Sequence, residues 1–395
     1  MGRLLARPRL RTALVGLGLL CAALALVIWP AQSADAVREG MALCANVVVP
    51  ALFPFFVLAS LVVELGLSRC LGRLLHPIMA PLFRVNGSCA AALALGFVGG
   101  YPVGARTAIQ LYQQGQCSKT EAQRLLAFCN NSGPAFILGA VGAGVFGSGK
   151  AGIALYLCHM AASLLVGLLF RFYRPGDGPS SPRRMGERFQ AVSFSAAFPR
   201  AVTGAMASSL NICAFILCFS VVVRLLTLSG LLDGAAGLLS ALPPPLRLSP
   251  EWSRRLLVGA LELSSGVYSL TGGSLTGRLS MAAFMLGWAG MSVHLQVLAF
   301  LGDSGLSMRT YLTGKLLHGG LSALLMGALA PRLAPALSVS TCLAQQTEAI
   351  AGQEALRALA LSAAAAWVLW LCFLALAAFP GKKAVEKPKR LRYNR

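Results

Sequence analysis

Acidic residues are what this chain has least of. Only 13 of its 395 residues are Asp or Glu, against 34 Lys and Arg, and charged residues of both signs make up 12%. No polar block is long enough to form a separate water-soluble domain, which argues against a soluble globular protein. Metal and disulfide chemistry lack their signatures too. None of the eleven cysteines forms a CxxC pair, and most fall in apolar runs, where they read as small packing residues. The four histidines, His76, His159, His294 and His318, lack metal-ligand spacing, so no metal site is expected.

Three enzyme-like patterns fail on context. Gly144 to Lys150 fits most of a phosphate loop, but Ala151 stands where Ser or Thr should ligate magnesium. Gly142 to Gly147 matches GxGxxG without a strand–turn–helix setting. Gly302-Asp303-Ser304-Gly305 reads as a polar turn, with no histidine or second acid placed to support a nucleophile. No catalytic residue, no cofactor and no enzymatic activity is expected.

What is present is apolar sequence, 56% of the chain, arranged in successive runs long enough to cross a bilayer. The net charge of +21 sits in short loops and at both ends. That pattern fits cytoplasmic anchoring beside anionic lipid rather than nucleic-acid binding. The expected fold is an all-α polytopic membrane protein with about eight transmembrane helices plus two re-entrant segments.

In chain order, residues 1–42 read as an uncleaved signal-anchor-like helix and an external turn at Gln32–Glu39. Residues 43–172 hold a span at Leu43–Leu67, a loop carrying Arg69, Arg73 and Arg84, and a re-entrant piece at Ser88–Ala108. A broken span at Arg124–Gly147 and a return span at Ala151–Phe172 complete this first repeat. Residues 173–200 are a basic cytoplasmic linker. Residues 201–330 repeat the order: a span at Ala201–Leu228, an external stretch containing Pro243-Pro244-Pro245, a re-entrant piece at Leu256–Thr271, and spans at Ser280–Leu301 and Ser307–Leu329. Residues 331–395 supply an external loop, a last span at Ala358–Phe379 and a basic tail. Both termini are then cytoplasmic by the positive-inside rule. The first repeat starts outside and the second inside, so the two repeats are inverted, an arrangement that places a site at interrupted segments near the midplane.

The interruptions carry the candidate site. Gly99-Gly100-Tyr101-Pro102 and Asn130-Asn131-Ser132-Gly133-Pro134 break the hydrophobic pattern of the first half. Gly and Pro there disfavour continuous helix, and open backbone at membrane depth is tolerated only inside protein or beside a watery cavity. Gly99, Gly100, Pro102, Gly133, Pro134 and Gly266 are therefore expected as hinges. Tyr101, Asn130, Asn131 and Ser132 are candidate solute contacts. In the second half Glu262, Ser264 and Ser265 occupy the equivalent piece, and Ser292, His294 and Gln296 follow on the next span. A carboxylate in a span costs about 2.5–3.5 kcal/mol on insertion scales and marks function by default. The structural alternative for Glu262 is an ion pair with Arg106 or Arg278; for His294, whose functional reading includes a proton relay, it is helix packing. A half-helix opened at Pro134 would expose backbone N–H groups to a ligand oxygen. Gly96, Gly100 and Gly104 form a small-residue ladder for close packing.

These blocks resemble a known family. GGYPVGA at Gly99–Ala105 and KTEAQRLLAFCNNSGPAFILGAVG at Lys119–Gly142 resemble the signature of the YlbJ-type sporulation integral membrane proteins. WAGMSVHLQVLAFLGD at Trp288–Asp303 and YLTGKLL at Tyr311–Leu317 resemble that family's C-terminal half, and the likeness runs from Asn46 to Met326. The family sits in the wider group with nucleoside-recognition or Gate domains, similar in outline to concentrative nucleoside transporters. The resemblance implies a plasma-membrane protein of a spore-forming bacterium needed for the spore cortex; it carries no substrate and no catalytic residues. Two functions follow: a carrier that moves a small solute with a coupling ion, or a non-transporting component of a sporulation envelope complex. Partners would be the lipid bilayer, a solute, and further copies or other sporulation membrane proteins.

Overall fold

The computed structural model describes residues 8–179, 193–244, 247–302 and 304–346. It divides into two compact units, Met1–Ser338 and Val339–Arg395, and the second lies almost wholly outside the described residues. Also outside them are part of the basic linker, Pro245, Asp303 and the expected last span and tail.

Every regular element among the described residues is helical. Four helices are long and apolar enough to cross a bilayer: Gly149–Phe170, Phe194–Leu228, Leu275–Leu301 and Met308–Leu333. The number rises to six if two sharply bent pairs each count as one span, Thr12–Ile28 with Pro30–Asn46 (96°) and Leu74–Phe83 with Gly87–Gly99 (93°).

The first half is α1 (Pro8–Ile28), α2 (Pro30–Leu43), a π-wound turn (Cys44–Val48) and α3 (Val49–Glu64). Gln32–Glu39, expected as an external turn, is helical, because Pro30 starts α2 at a position that needs no N–H and no further proline follows until Pro50. The π-wound turn lies just ahead of Pro50 and Pro54, where a proline ring otherwise meets the carbonyl one turn back. Leu67–Phe83, expected as a loop with Arg69 and Arg73, is helix α4. Its Leu74, Ile78 and Leu82 recur every fourth residue and are exposed, one apolar stripe on one face. Arg84 ends α4 in the left-handed conformation.

Next come α5 (Ala90–Gly99), α6 (Val103–Gln113), α7 (Lys119–Leu126), a π-wound segment (Ala135–Val145) and α8 (Gly149–Phe170). The chain is therefore interrupted at Gly100–Pro102, and again between Leu126 and Ala135. A capping box at Ser118 and Glu121 starts α7. Buried Arg124 holds the adjoining loops by donating to the carbonyls of Arg84 (2.6 Å), Tyr173 (2.9 Å), Arg174 (2.8 Å) and Asp177 (2.8 Å).

The second half is α9 (Phe194–Leu228), α10 (Leu231–Ser240), α11 (Pro250–Leu261), α12 (Leu263–Tyr268), α13 (Leu275–Trp288), α14 (Gly290–Leu301) and α15 (Met308–Gln346). Two differences from expectation stand out. Ser280–Leu301, expected as unbroken, is interrupted where Ala289 and Gly290 both take positive φ (78° and 81°). Helix α15 runs on to Gln346, so the first part of the expected external loop after Arg332 is helical.

Apolar burial forms two main clusters. One gathers Phe83, Leu111, Leu125, Phe128, Cys129, Val166, Val297, Leu301 and Tyr311. The other gathers Ile137, Leu155, Cys158, Leu279, Leu286, Met326 and Ala330. Several chain segments pass from one cluster to the other, and at the crossing each turns polar: Asn130–Ser132, His159 and Ser163 on α8, Ser292–Gln296 on α14, and Lys315, His318 and Ser322 on α15.

The glycine ladder works inside the chain. A Cβ on Gly96 or Gly104 would lie 2.0 or 1.9 Å from the Cys129 carbonyl oxygen, and one on Gly100 would lie 2.7 Å from the Gly133 nitrogen. Gly314 on α15 approaches Ala127 as closely, its Cβ falling 2.3 Å from that carbonyl oxygen. Gly104→Ala is expected to lower stability by about 1–3 kcal/mol through overpacking against backbone. Gly234→Ala, on α10 where a Cβ meets nothing, should raise it by about 0.5–1 kcal/mol. Thermal unfolding of both variants in detergent checks the contrast.

Candidate functional site

Three interruptions border one cavity. It measures about 150 Å³ and is lined by the Gly99-Gly100-Tyr101 turn, Ser132-Gly133 and Glu262-Leu263-Ser264. Ser292 and Gln296 of α14 close another side, and Phe136, Ile212 and Ile216 supply apolar wall. Nine of the sixteen sequence-predicted residues thus meet at one space: Gly99, Gly100, Tyr101, Ser132, Gly133, Glu262, Ser264, Ser292 and Gln296. The other seven, Pro102, Asn130, Asn131, Pro134, Ser265, Gly266 and His294, do not line it.

Glu262 sits at the break between α11 and α12 in an extended conformation. Its carboxylate accepts from the backbone N–H of Ser264 (3.0 Å) and Ser265 (2.6 Å). The expected alternative, a pair with Arg106 or Arg278, is corrected. Arg278 donates to the carbonyls of Leu270 and Val145, and Arg106 reaches the Gly204 carbonyl and lies over the Phe56 ring. The reason is local: an acid at an N-cap position reaches the free N–H groups of the next turn without crossing the protein. Glu262 thus brings one negative charge to the cavity wall, and no basic side chain lies within salt-bridge distance of it among the described residues.

Behind the Tyr101–Ser132 side lies a second polar group centred on the Asn130–Ser132 break. Asn130 donates through Nδ2 to the Tyr311 hydroxyl at 3.0 Å. Tyr311 in turn lies 3.2 Å from His294 Nδ1. The Lys315 ammonium donates to the Asn130 carbonyl at 2.8 Å. The Ser132 N–H donates to His159 Nε2 at 3.0 Å. Asn131 Nδ2 and Ser163 Oγ both donate to the Phe128 carbonyl (3.0 and 2.6 Å).

Sequence reasoning missed Tyr311, Lys315, His318 and His159. The signal existed for Lys315: a lone cation within an apolar run is as unusual as Glu262, and the same rule marks both. His159 and His318 carry no such mark, because an isolated histidine in a helix gains meaning only from what it faces. His294, expected as a packing residue or a solute contact, packs edge-on to both Trp288 (4.3 Å between rings) and Tyr311 (5.5 Å). Several buried atoms here keep no partner: Asn130 Oδ1, Asn131 Oδ1, His159 Nδ1 and His294 Nε2. Such a concentration is unusual, because buried polar atoms are nearly always paired.

The Gate family, described as nucleoside recognition, matches residues 45–148, a range that includes both first-half interruptions. A sporulation integral membrane protein, YlbJ of Bacillus subtilis (strain 168), is 32% identical over 308 residues, covering 73% of this chain and 76% of that protein. Among solved structures, a variant of CNTnw in an outward-facing state aligns over 83% of this chain and 88% of its own at 13% identity, with a TM-score of 0.43.

The two tyrosines give a direct test of this geometry. Tyr311→Phe strands Asn130 and His294 and should cost about 1–3 kcal/mol. Tyr101→Phe, which removes only a hydroxyl contact with Ser132, should cost less than about 1 kcal/mol. Chemical denaturation of the purified variants in detergent reads the difference.

Proposed function

The chain belongs to the YlbJ family of sporulation integral membrane proteins, and from that premise we propose that it is a secondary transporter of a small polar solute, acting in the plasma membrane in support of spore cortex formation. One observation carries the proposal: a cavity walled by three helix interruptions from both halves of the chain and bearing a carboxylate, an amide and hydroxyls. Interrupted helices cost backbone hydrogen bonds, and membrane proteins keep them where a solute must be gripped and released.

The chemistry of the wall bears on the solute. Glu262 accepts hydrogen bonds and carries negative charge, Gln296 both donates and accepts, and Phe136 offers a ring face. Together they suit a nucleoside-like or cationic solute better than an anion. In this reading the chain forms two inverted repeats of about eight spans in all, with both termini cytoplasmic. Residues 43–172 and 201–330 are the repeats, and the linker at 173–200 joins them on the cytoplasmic side. Rocking of one repeat against the other would open the cavity alternately to each side. The non-transporting alternative gains nothing from the glycine ladder, whose close contacts are all within the chain.

An uptake screen in proteoliposomes over nucleosides, nucleobases, amino acids, dicarboxylates and metal ions tests the proposal. Flux is expected for one class, and Glu262→Gln should reduce it at least about tenfold, the equivalent of 1.4 kcal/mol, with expression and monodispersity unchanged. No flux of any solute through correctly oriented protein would defeat it. Cysteines placed at 180–192 should label only from the cytoplasmic side and those at 347–357 only from outside; labelling from the opposite side would overturn the inverted arrangement.

A further inference from the structure

Lys315 is fully buried inside the candidate span Met308–Leu333, and no carboxylate lies within salt-bridge distance of it among the described residues. An isolated ammonium in such a place is expensive. What surrounds it is a set of bases. Its Nζ lies 2.8 Å from the Asn130 carbonyl and 3.2 Å from His318 Nδ1, with the Tyr101 ring 5.8 Å away on a further side.

Hydrogen-bond directions define the state of each imidazole. His318 Nε2 faces the His159 carbonyl at 2.9 Å. A carbonyl only accepts, so Nε2 carries the hydrogen and Nδ1 is left as an acceptor for Lys315. His159 Nε2 accepts from the Ser132 N–H, which leaves its hydrogen on Nδ1. His294 Nδ1 lies 3.2 Å from the Tyr311 hydroxyl. The His159 ring is therefore neutral, His318 is neutral whenever Lys315 donates to it, and these two rings lie tilted at 44° with centroids 4.3 Å apart. The groups facing Lys315 are His318 on its own helix, His159 from α8, His294 from α14, and Tyr101 and Cys129 from the two first-half breaks; Tyr311 joins through Asn130. None of them is an acid that ionises near neutral pH.

We propose that Lys315 and His318 together form the proton-binding site that couples solute movement to a proton gradient. The inference rests on the transport reading of the cavity and supplies its coupling ion. A proton fits where a larger anion does not. Nζ is hemmed in by a carbonyl, an imidazole and a phenol ring, and the cavity lies on the far side of Tyr101 and Ser132. The step balances simply: a proton taken from water converts the neutral amine to the ammonium, and its release restores the amine.

Gain or loss of that charge acts on the Asn130 carbonyl, hence on the Asn130–Ser132 break whose Ser132 lines the cavity. Unpartnered Asn131 Oδ1 and His159 Nδ1 sit on the break itself and on the ring that holds its Ser132 N–H. Lys315, His318 and Ser322 lie at i, i+3 and i+7, on one face of α15. A purely structural lysine would need neither a neutral imidazole as acceptor nor this run of open polar atoms.

The test is a pH jump applied to proteoliposomes adsorbed on a solid-supported membrane, with no solute present and full-length protein. Wild type should give a transient charge displacement that titrates with pH. Lys315→Met, which has no titrating group, and Lys315→Arg, whose charge does not titrate, should each reduce it at least about tenfold. His318→Asn should move its midpoint by about one pH unit, and His76→Gln, on the distant helix α4, should not. Size-exclusion profiles show which variants fold, and His318→Asn keeps the test decisive if both Lys315 variants aggregate. A displacement unchanged in the folded variants, or absent from wild type, overturns the proposal. The two readings fail separately. Solute flux without a Lys315-dependent displacement removes the proton site and leaves transport standing. A Lys315-dependent displacement with no flux of any solute does the reverse.

Discussion

Backbone that leaves the helix inside an apolar protein must find its hydrogen bonds elsewhere, and the stretch Phe128–Ser132 is where this chain meets that demand. Its carbonyls and N–H groups are taken by side chains from other elements, Ser163 on Phe128, Lys315 on Asn130 and His159 on Ser132, and by Asn131 of the stretch itself, which also donates to Phe128. Each of those bonds is worth more here than in water, because the alternative is an unpaired group in a medium of low dielectric. The break is thus tied to α8 and α15, and its position depends on how those helices pack.

Packing in turn depends on the absence of side chains. Gly96 and Gly104 bring α5 and α6 onto the Cys129 carbonyl, and Gly314 brings α15 onto Ala127. A methyl group at any of the three would push a helix away from the break. The polar layer and the glycine contacts are therefore two parts of one arrangement. Close approach puts Lys315 and Tyr311 within reach of Asn130, and their hydrogen bonds make the open backbone tolerable. The cavity lies on the other face of the same break, so the arrangement that supports the backbone also shapes the wall a solute would meet.

Much of this was legible in the residues alone. Pro and Gly at Gly99–Pro102 and Gly133–Pro134 announce two interruptions; the third, expected at Ser264-Ser265-Gly266, falls instead at Glu262, whose carboxylate caps a helix that contains those three residues. The interruption at Trp288–Gly290 was not legible, because Ala289 has no local reason to adopt positive φ; its neighbours impose it. Nor was the division of labour among the polar residues. Glu262, Ser292 and Gln296 face the cavity, whereas Asn130 and His294, equally polar and equally buried, face Tyr311. Which way a polar side chain points from a helix depends on rotation about its axis, and that is decided by the apolar residues packed around it.

The sequence by itself determined that the chain is a helical membrane protein of the YlbJ family, where two of its helices break, and that a buried carboxylate accompanies them. These follow from composition, from the chemistry of Pro and Gly, and from long motif blocks, all of which are local. Tertiary structure alone decided that Glu262 caps a helix rather than pairing with arginine, that Lys315 meets His318 and the Asn130 carbonyl, and that His159 takes the N–H of Ser132. Asn130 and Lys315, like Ser132 and His159, are far apart in the chain, and a hydrogen bond between distant residues leaves no trace in the sequence around either one.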